Sequence, residues 1–315
     1  MSNSKVNRTL KIYDMLQKGE IISKDSLAEE FNVDERSIRR DISDINKYLK
    51  LQNDDRFVLK IKGCDYVLED EKIESFDKSV FLISKILLNS RAFNKEEKDL
   101  ILESFIEKVS IRNKKLIKKL ISNERYNYFE VEHKSKLINK IWELTEYIDK
   151  QEIIFIKYKK NNGNIIKDKF SPFGIVFSEF YFYMIGKYKD SDTNAVLRVD
   201  RVIDFEGTDE KYKVNYSTRV QESELKKKMQ FMYSGIKKRI KFLFKGEDIE
   251  SVKDRLPGAR IKDNGSNTYL VDVEVFGDGI IMWFLSQGRK ITVIEPEEMV
   301  LKIKDEVNKM KENYN

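Results

Sequence analysis

The apolar residues of this chain change their repeat near position 152, and that change limits what it can fold into. Before it they recur every three or four positions, as helices require, apart from one alternating stretch at 57–68. From Glu152 onward they recur every two, as strands require, until helical patterns return after residue 246. A chain of 315 residues patterned this way is expected to be a multidomain α+β protein, with two or three cores.

Residues 5–18 place Val6, Leu10, Tyr13 and Leu16 at helical spacing, and Gly19 closes that helix. Ser23 is placed to cap a second helix whose Leu27, Ala28 and Phe31 face inward. Asn32-Val33-Asp34 forms a tight turn, and Asp34 caps a third helix running from about Glu35 to Leu49. On that helix Ile38, Ile42, Ile45 and Leu49 make one narrow apolar stripe. Arg36, Arg40, Ser43 and Lys47 point away from it, with Arg39 on the shoulder. Such a face is either the solvated side of an amphipathic helix or a surface that enters a nucleic-acid groove.

The residues after this helix decide between the two. Phe57, Leu59 and Ile61 alternate with Val58, Lys60 and Lys62, and a turn at Gly63 leads to Tyr66-Val67-Leu68, a β-hairpin. Three helices and a hairpin, in that order, are a winged helix-turn-helix, in which the outward end of the third helix meets base edges. The segment resembles the DeoR-like winged helices in Leu27-Ala28-Glu29-Glu30-Phe31, Val33, Ser37-Ile38-Arg39-Arg40-Asp41 and the Gly63 wing. That resemblance implies base or phosphate contact by Arg36, Ser37, Arg39 and Arg40. Ser43, Lys47, Lys60 and Lys62 complete the expected DNA-facing set. Acids and bases are about balanced in residues 1–70, so binding rests on a patch. Asp41 lies toward the apolar flank and is expected to partner a neighbouring base.

Residues 73–150 read as helices with breaks near 89–91, 94–95 and 123–132, and Tyr126–Glu132 as a short strand. The apolar run Val80–Leu88 requires a protein cover, and the region is expected to link and dimerise. The run at 111–121 pairs an apolar stripe with basic residues; a solvated helix face is its commoner meaning, phosphate or acidic lipid the alternative.

Beyond Glu152 five short strands with tight turns suggest a small, strongly bent sheet or barrel. Ile156-Lys157-Tyr158, Ser171-Pro172-Phe173-Gly174-Ile175-Val176 and Leu197-Arg198-Val199-Asp200-Arg201-Val202 resemble the WYL domain, an SH3/Sm-like β-barrel of bacterial regulators. Phe182-Tyr183-Met184 stand where that family usually has Trp-Tyr-Leu, so the indole N–H is missing. The resemblance implies a nucleotide or oligonucleotide-like anionic effector, with Tyr158, Tyr183, Lys187, Arg198 and Arg201 as the residues to hold it. Arginine clamps phosphate and tyrosine stacks a base; an Arg198–Asp200 pair that braces the sheet is the structural alternative. From Arg239 the order strand, helix, two strands, helix, strand, helix is ferredoxin-like βαββαβ with a terminal helix. It resembles the C-terminal extension that accompanies WYL domains, most clearly in Trp283–Gly288 and Val293-Ile294-Glu295-Pro296.

The expected organisation is therefore a DNA-binding winged helix at 1–70, a helical linker and dimerisation region at 71–148, and a WYL effector domain at 149–208. A linker at 209–235 and a ferredoxin-like extension at 236–315 complete it. Composition agrees with a soluble regulator: 40% hydrophobic, 36% charged, 60 basic against 54 acidic residues. One cysteine, Cys64, excludes an internal disulfide framework, and its possible redox role is left open. One histidine, His133, leaves no pair for a His-based zinc site. No apolar run approaches the ~18 residues a membrane span needs, and the polar start lacks a signal-peptide core. No phosphate-binding glycine loop or nucleophile–base pair appears either. The expectations are a cytoplasmic homodimer, not an enzyme, with no cofactor, no metal and no membrane, bound to double-stranded operator DNA. The alternative from another class is an accessory protein that binds RNA or single strands and modulates a partner nuclease.

Overall fold

A computed structural model describes residues 4–52, 56–61, 65–69, 71–191, 193–213, 228–233 and 235–314. Lys62, Gly63 and Cys64, and most of the expected linker at 209–235, lie outside the described residues. The chain divides into two units, Met1–Lys134 and Ser135–Asn315.

In the first unit, helices α1 (Lys5–Gln17), α2 (Lys24–Phe31) and α3 (Glu35–Leu51) precede a three-stranded sheet of order β1-β3-β2. Its strands are β1 (Ile22–Ser23), β2 (Phe57–Lys60) and β3 (Asp65–Glu69). The stripe Ile38, Ile42, Ile45 and Leu49 is buried as its spacing predicts, against Leu27, Phe31, Val58, Tyr66 and Leu68. The expected face of α1 is turned: Val6 and Leu10 are exposed, while Arg8, Ile12 and Leu16 face inward. The reason is an ion pair. Arg8 donates to Asp41 of α3 through Nε (2.5 Å) and an Nη (3.3 Å), and Thr9 adds a hydroxyl at 3.0 Å. Rotating α1 to bury Val6 and Leu10 would strand that carboxylate, which is fully buried.

Helices α4 (Glu71–Ser90), α5 (Lys95–Ile106) and α6 (Ile111–Tyr126) complete the unit. Val80, Leu88, Leu102, Ile106, Ile117 and Ile121 form their shared core. The apolar run on α4 is covered on one side only, since Leu82, Ile83 and Ile86 remain exposed. Tyr126–Glu132 is not a strand but the end of α6 and an irregular segment. Side-chain bonds, not a neighbouring strand, hold that segment: Tyr128 hydroxyl to the Phe93 carbonyl (2.6 Å), Arg91 to the Phe129 carbonyl (2.7 Å) and Glu130 to the Lys95 amide (2.9 Å).

A tight joint connects α1 to α6. Gly19 adopts φ +73°, and a Cβ there would lie 2.5 Å from that of Ser110. Ser110 is itself fixed by buried Asp77 of α4, donating its amide (3.1 Å) and hydroxyl (2.5 Å), while Asn113 donates at 2.8 Å.

The second unit opens with α7 (Ile138–Lys150), which packs on a five-stranded antiparallel sheet of order β7-β6-β5-β4-β8. The strands are β4 (Glu152–Lys159), β5 (Ile165–Ser178), β6 (Tyr181–Tyr188), β7 (Ala195–Arg198) and β8 (Val202–Lys211). The expected Pro-Phe-Gly corner does not separate two strands. β5 runs through it, and a register shift between Pro172 and Gly174 absorbs the bend. A 3-10 turn at Val199–Arg201 breaks the last apolar run instead. The sheet is open: β7 and β8 are its edges and do not pair with each other, so no closed barrel forms among the described residues.

The remainder follows the predicted element order: β9 (Lys237–Lys245), α8 (Ile249–Arg255), β10 (Arg260–Asp263), β11 (Thr268–Phe276), α9 (Ile280–Gln287), β12 (Ile291–Glu295) and α10 (Glu297–Glu312). The sheet order is β10-β11-β9-β12, all antiparallel. Trp283 and Phe284 of α9 pack edge-on against Phe242, which centres the core.

Candidate nucleic-acid interface

The turn into α3 is built from two residues suited to it. Asn32 ends α2 in the left-handed region (φ 51°), which Asn tolerates better than most side chains. Asp34 then caps α3, its carboxylate accepting the Ser37 amide proton at 2.6 Å. That bond, with Arg40 adding a smaller share, holds the Asp34 carboxyl below the usual carboxylate range.

Arg36, Arg39, Arg40, Ser43 and Lys47 are all exposed along one side of α3, as expected, and Ser37 sits half-buried on its flank. At 100° per residue Lys50 falls on the same side; it is exposed and was not anticipated, because it lies beyond the helix end the sequence suggested. No acid shares this side. Each carboxylate of α3 is turned to another helix: Asp41 to Arg8, Glu35 to Lys24 and Asp44 to Lys5 (2.8 Å). Lys24 and Lys5, by hydrogen bonds to them, hold Glu35 and Asp44 below the usual range. The cations are thus sorted from the anions, and Arg36, Arg39 and Arg40 make no hydrogen bond or ion pair among the described residues.

Lys60 is exposed on β2. The strand is pinned to α3 by Asn46, which accepts the Val58 amide proton at 2.7 Å and donates to its carbonyl at 3.3 Å. Asn46 is a further functional-site residue that periodicity does not reveal.

These shifts make acid sensitivity predictable. Carboxyls depressed in the folded state contribute stability above the ordinary carboxylate range and lose it as pH falls through their lowered values. Far-UV circular dichroism melts from pH 7 to pH 2 should show the thermal midpoint falling as Asp34, Glu35 and Asp44 protonate. Asp34→Ala should lower the midpoint by a few degrees at pH 7 and converge on the parent in acid. Parallel curves at every pH would refute this.

On the five-stranded sheet, Tyr183 pairs with Arg198 across β6 and β7, and Lys187 with Ser171, so Tyr183, Lys187 and Arg198 share one face. Arg198 is already engaged. It makes a two-pronged pair with Asp200 (3.0 and 2.8 Å), and its guanidinium lies 3.4 Å over the Tyr181 ring. Burial pushes the Tyr183 phenol upward, and Arg198 and Arg201 partly offset this. Tyr158 is buried on the other face, where its hydroxyl accepts the Arg198 amide proton at 3.3 Å. Arg201 is half-buried in the 3-10 turn. Lys140 of α7 supports the turn, donating to the Val202 carbonyl at 2.6 Å, with its pKa lowered by burial.

No helix is long and apolar enough to cross a membrane among the described residues. Residues 8–61 match the HTH domain family, and residues 237–311 match the WCX domain family. Among solved structures the chain is similar to proteasome accessory factor B/C (PafBC) of Arthrobacter aurescens: 12% identity, TM-score 0.29, covering 94% of this chain and 45% of that one. It is also similar to a CRISPR Cas-related protein: 12% identity, TM-score 0.41, covering 68% of this chain and 61% of that one. The chain therefore spans less than two thirds of either. No curated protein matches it.

Proposed function

The chain carries a helix-turn-helix domain at residues 8–61 and the WYL-associated WCX domain at residues 237–311, and from this premise we propose a ligand-responsive, sequence-specific DNA-binding transcriptional regulator. The observation that carries the proposal is the acid-free cationic side of α3, with Arg36, Arg39, Arg40, Lys47 and Lys50 on it. The winged helix occupies residues 1–70, with α3 in the major groove, Arg39 and Arg40 at base edges or phosphates, and Lys60 and Lys62 of the wing at the backbone. A homodimer reads a two-fold operator with half-sites about 34 Å apart or a multiple of that.

The helical region (71–148) connects this reader to an SH3/Sm-like WYL domain (149–208), and a linker (209–235) leads to the extension (236–315). A ferredoxin-like reading of the extension is supported by the strand order β10-β11-β9-β12 with α8 and α9 as crossovers. An anionic nucleotide or oligonucleotide sits on the face shared by Tyr183, Lys187 and Arg198, with Arg201 at its edge. Tyr158 acts from beneath, holding the backbone of Arg198.

Selected duplex libraries, probed by fluorescence anisotropy across salt concentrations, test the reading of DNA. A duplex bound at least a thousandfold more tightly than random sequence supports it. Sequence-independent binding that favours single strands would replace it with the RNA or single-strand accessory role. For the effector, titration with short oligonucleotides should show affinity falling roughly tenfold or more in Arg201→Ala and Lys187→Ala. Equal binding by both variants and the parent would remove the assigned site.

A further inference from the structure

The side of α4 that faces away from its bundle carries an unusual combination: it is apolar, uncharged and exposed. Leu82 is 60% exposed, Ile83 44%, Ile86 69% and Phe76 38%. Ser75, Ser79, Leu82, Ile86 and Asn89 follow one another at spacings of four, three, four and three, the 3.5-residue repeat of a helix that packs along another helix. Phe76, Ile83 and Ser90 lie beside that line, and no charged residue falls on it from Ser75 to Ser90, about four turns.

The polar groups of this side are withdrawn from it. The Ser79 hydroxyl donates to the Ser75 carbonyl (2.9 Å), and that of Ser90 to the Leu87 carbonyl (2.8 Å). The flanking lysines are committed too: Lys78 to Glu74 (2.8 Å) and Lys85 to Glu124 of α6 (2.7 Å). A charged occupant would lose water along this line and find no opposite charge. A strand or loop would bring unpaired backbone groups against it.

We propose that this side of α4 is a self-association surface, occupied by α4 of a second copy of the chain running antiparallel. Its own size pattern supplies the argument. Small residues sit in the first half, Ser75 and Ser79, and large ones in the second, Leu82, Ile83 and Ile86. Two antiparallel copies place Ile86 against Ser79 and Leu82 against Ile83 about a two-fold axis, so each knob meets a space. Parallel copies would set serine against serine and isoleucine against isoleucine. The antiparallel pair also opposes the two helix dipoles, and its contacts are isologous, as closed dimers require. The surface stands independently of what α3 reads, but it supplies the two-fold axis that a palindromic operator demands.

The test uses the full chain without DNA. Sedimentation equilibrium should give a dimer for the parent, and Leu82→Glu and Ile86→Glu should each raise its dissociation constant at least a hundredfold. Both side chains are exposed in the single chain, so circular dichroism and thermal midpoint, measured at concentrations where the parent is monomeric, should not change. In a Cys64→Ser background, mild oxidation should crosslink Ser79→Cys/Ile86→Cys between copies and neither single variant. A monomeric parent, or a dimer that survives both charges, overturns the proposal. So does a fall in the monomer's thermal midpoint on introducing Leu82→Glu, which would mean that the face is covered within its own chain. Crosslinking of a single-cysteine variant to itself overturns the antiparallel arrangement.

Discussion

An Arg39→Ala/Arg40→Ala variant is expected to bind its operator roughly a hundredfold more weakly than the parent, each arginine being worth ~1–3 kcal/mol at a base or phosphate. The fold should be unaffected, since both side chains are exposed and neither bonds to the rest of the chain among the described residues. Two signatures separate the possible roles. If the arginines hold phosphates, affinity falls alike on all sequences, and the slope of log affinity against log salt becomes shallower by about one per residue. If they read guanine, discrimination at particular base pairs relaxes as well. Anisotropy titrations at several salt concentrations distinguish these, and unchanged affinity with an intact melt would remove the DNA-reading role of α3.

The second large effect lies beneath that surface. Asp41→Ala leaves Arg8 with its side chain only 10% exposed and without its buried partner, which should cost about 3–5 kcal/mol in urea denaturation. The variant Arg8→Met/Asp41→Leu, which removes both charges, should recover most of that loss, because the isolated charge and not the missing attraction is what destabilises. If the double replacement is as unstable as the single one, the pair is itself a net source of stability. Either way the pair sets the rotation of α1, and through it the position of α3.

The sequence was a good guide wherever neighbours along the chain decide the outcome. The stripe Ile38–Leu49, the Asp34 cap and the element order from β9 to α10 all follow from local spacing and turn chemistry. It misled where a partner far away decides. Arg8 looked like a surface residue of α1, and only Asp41, 33 positions on, explains its burial. Asn46 gave no local sign of its grip on β2, because that contact depends on how the hairpin folds back. The sheet was expected to close, but closure depends on whether β7 and β8 meet, and alternation within each strand cannot report that. At the candidate effector face, Tyr183, Lys187 and Arg198 come together as the two-residue period predicts. Tyr158 falls on the opposite face, since it shares the parity of buried Ile154 and Ile156. The Arg198–Asp200 pair was foreseeable as a possibility; the stacking on Tyr181 was not.

The contact between Gly19 and Ser110 has a mechanical meaning. With no room even for a methyl group, and with Ser110 bonded on two sides to a buried carboxylate, the start of α6 bears directly on the end of α1. Such a bearing has no play. A tilt imposed on the helical connector is delivered whole to the reading head, whose α1 and α3 are themselves riveted by Arg8 and Asp41. The connector is a handle for aiming the arginines, not a tether that lets them wander.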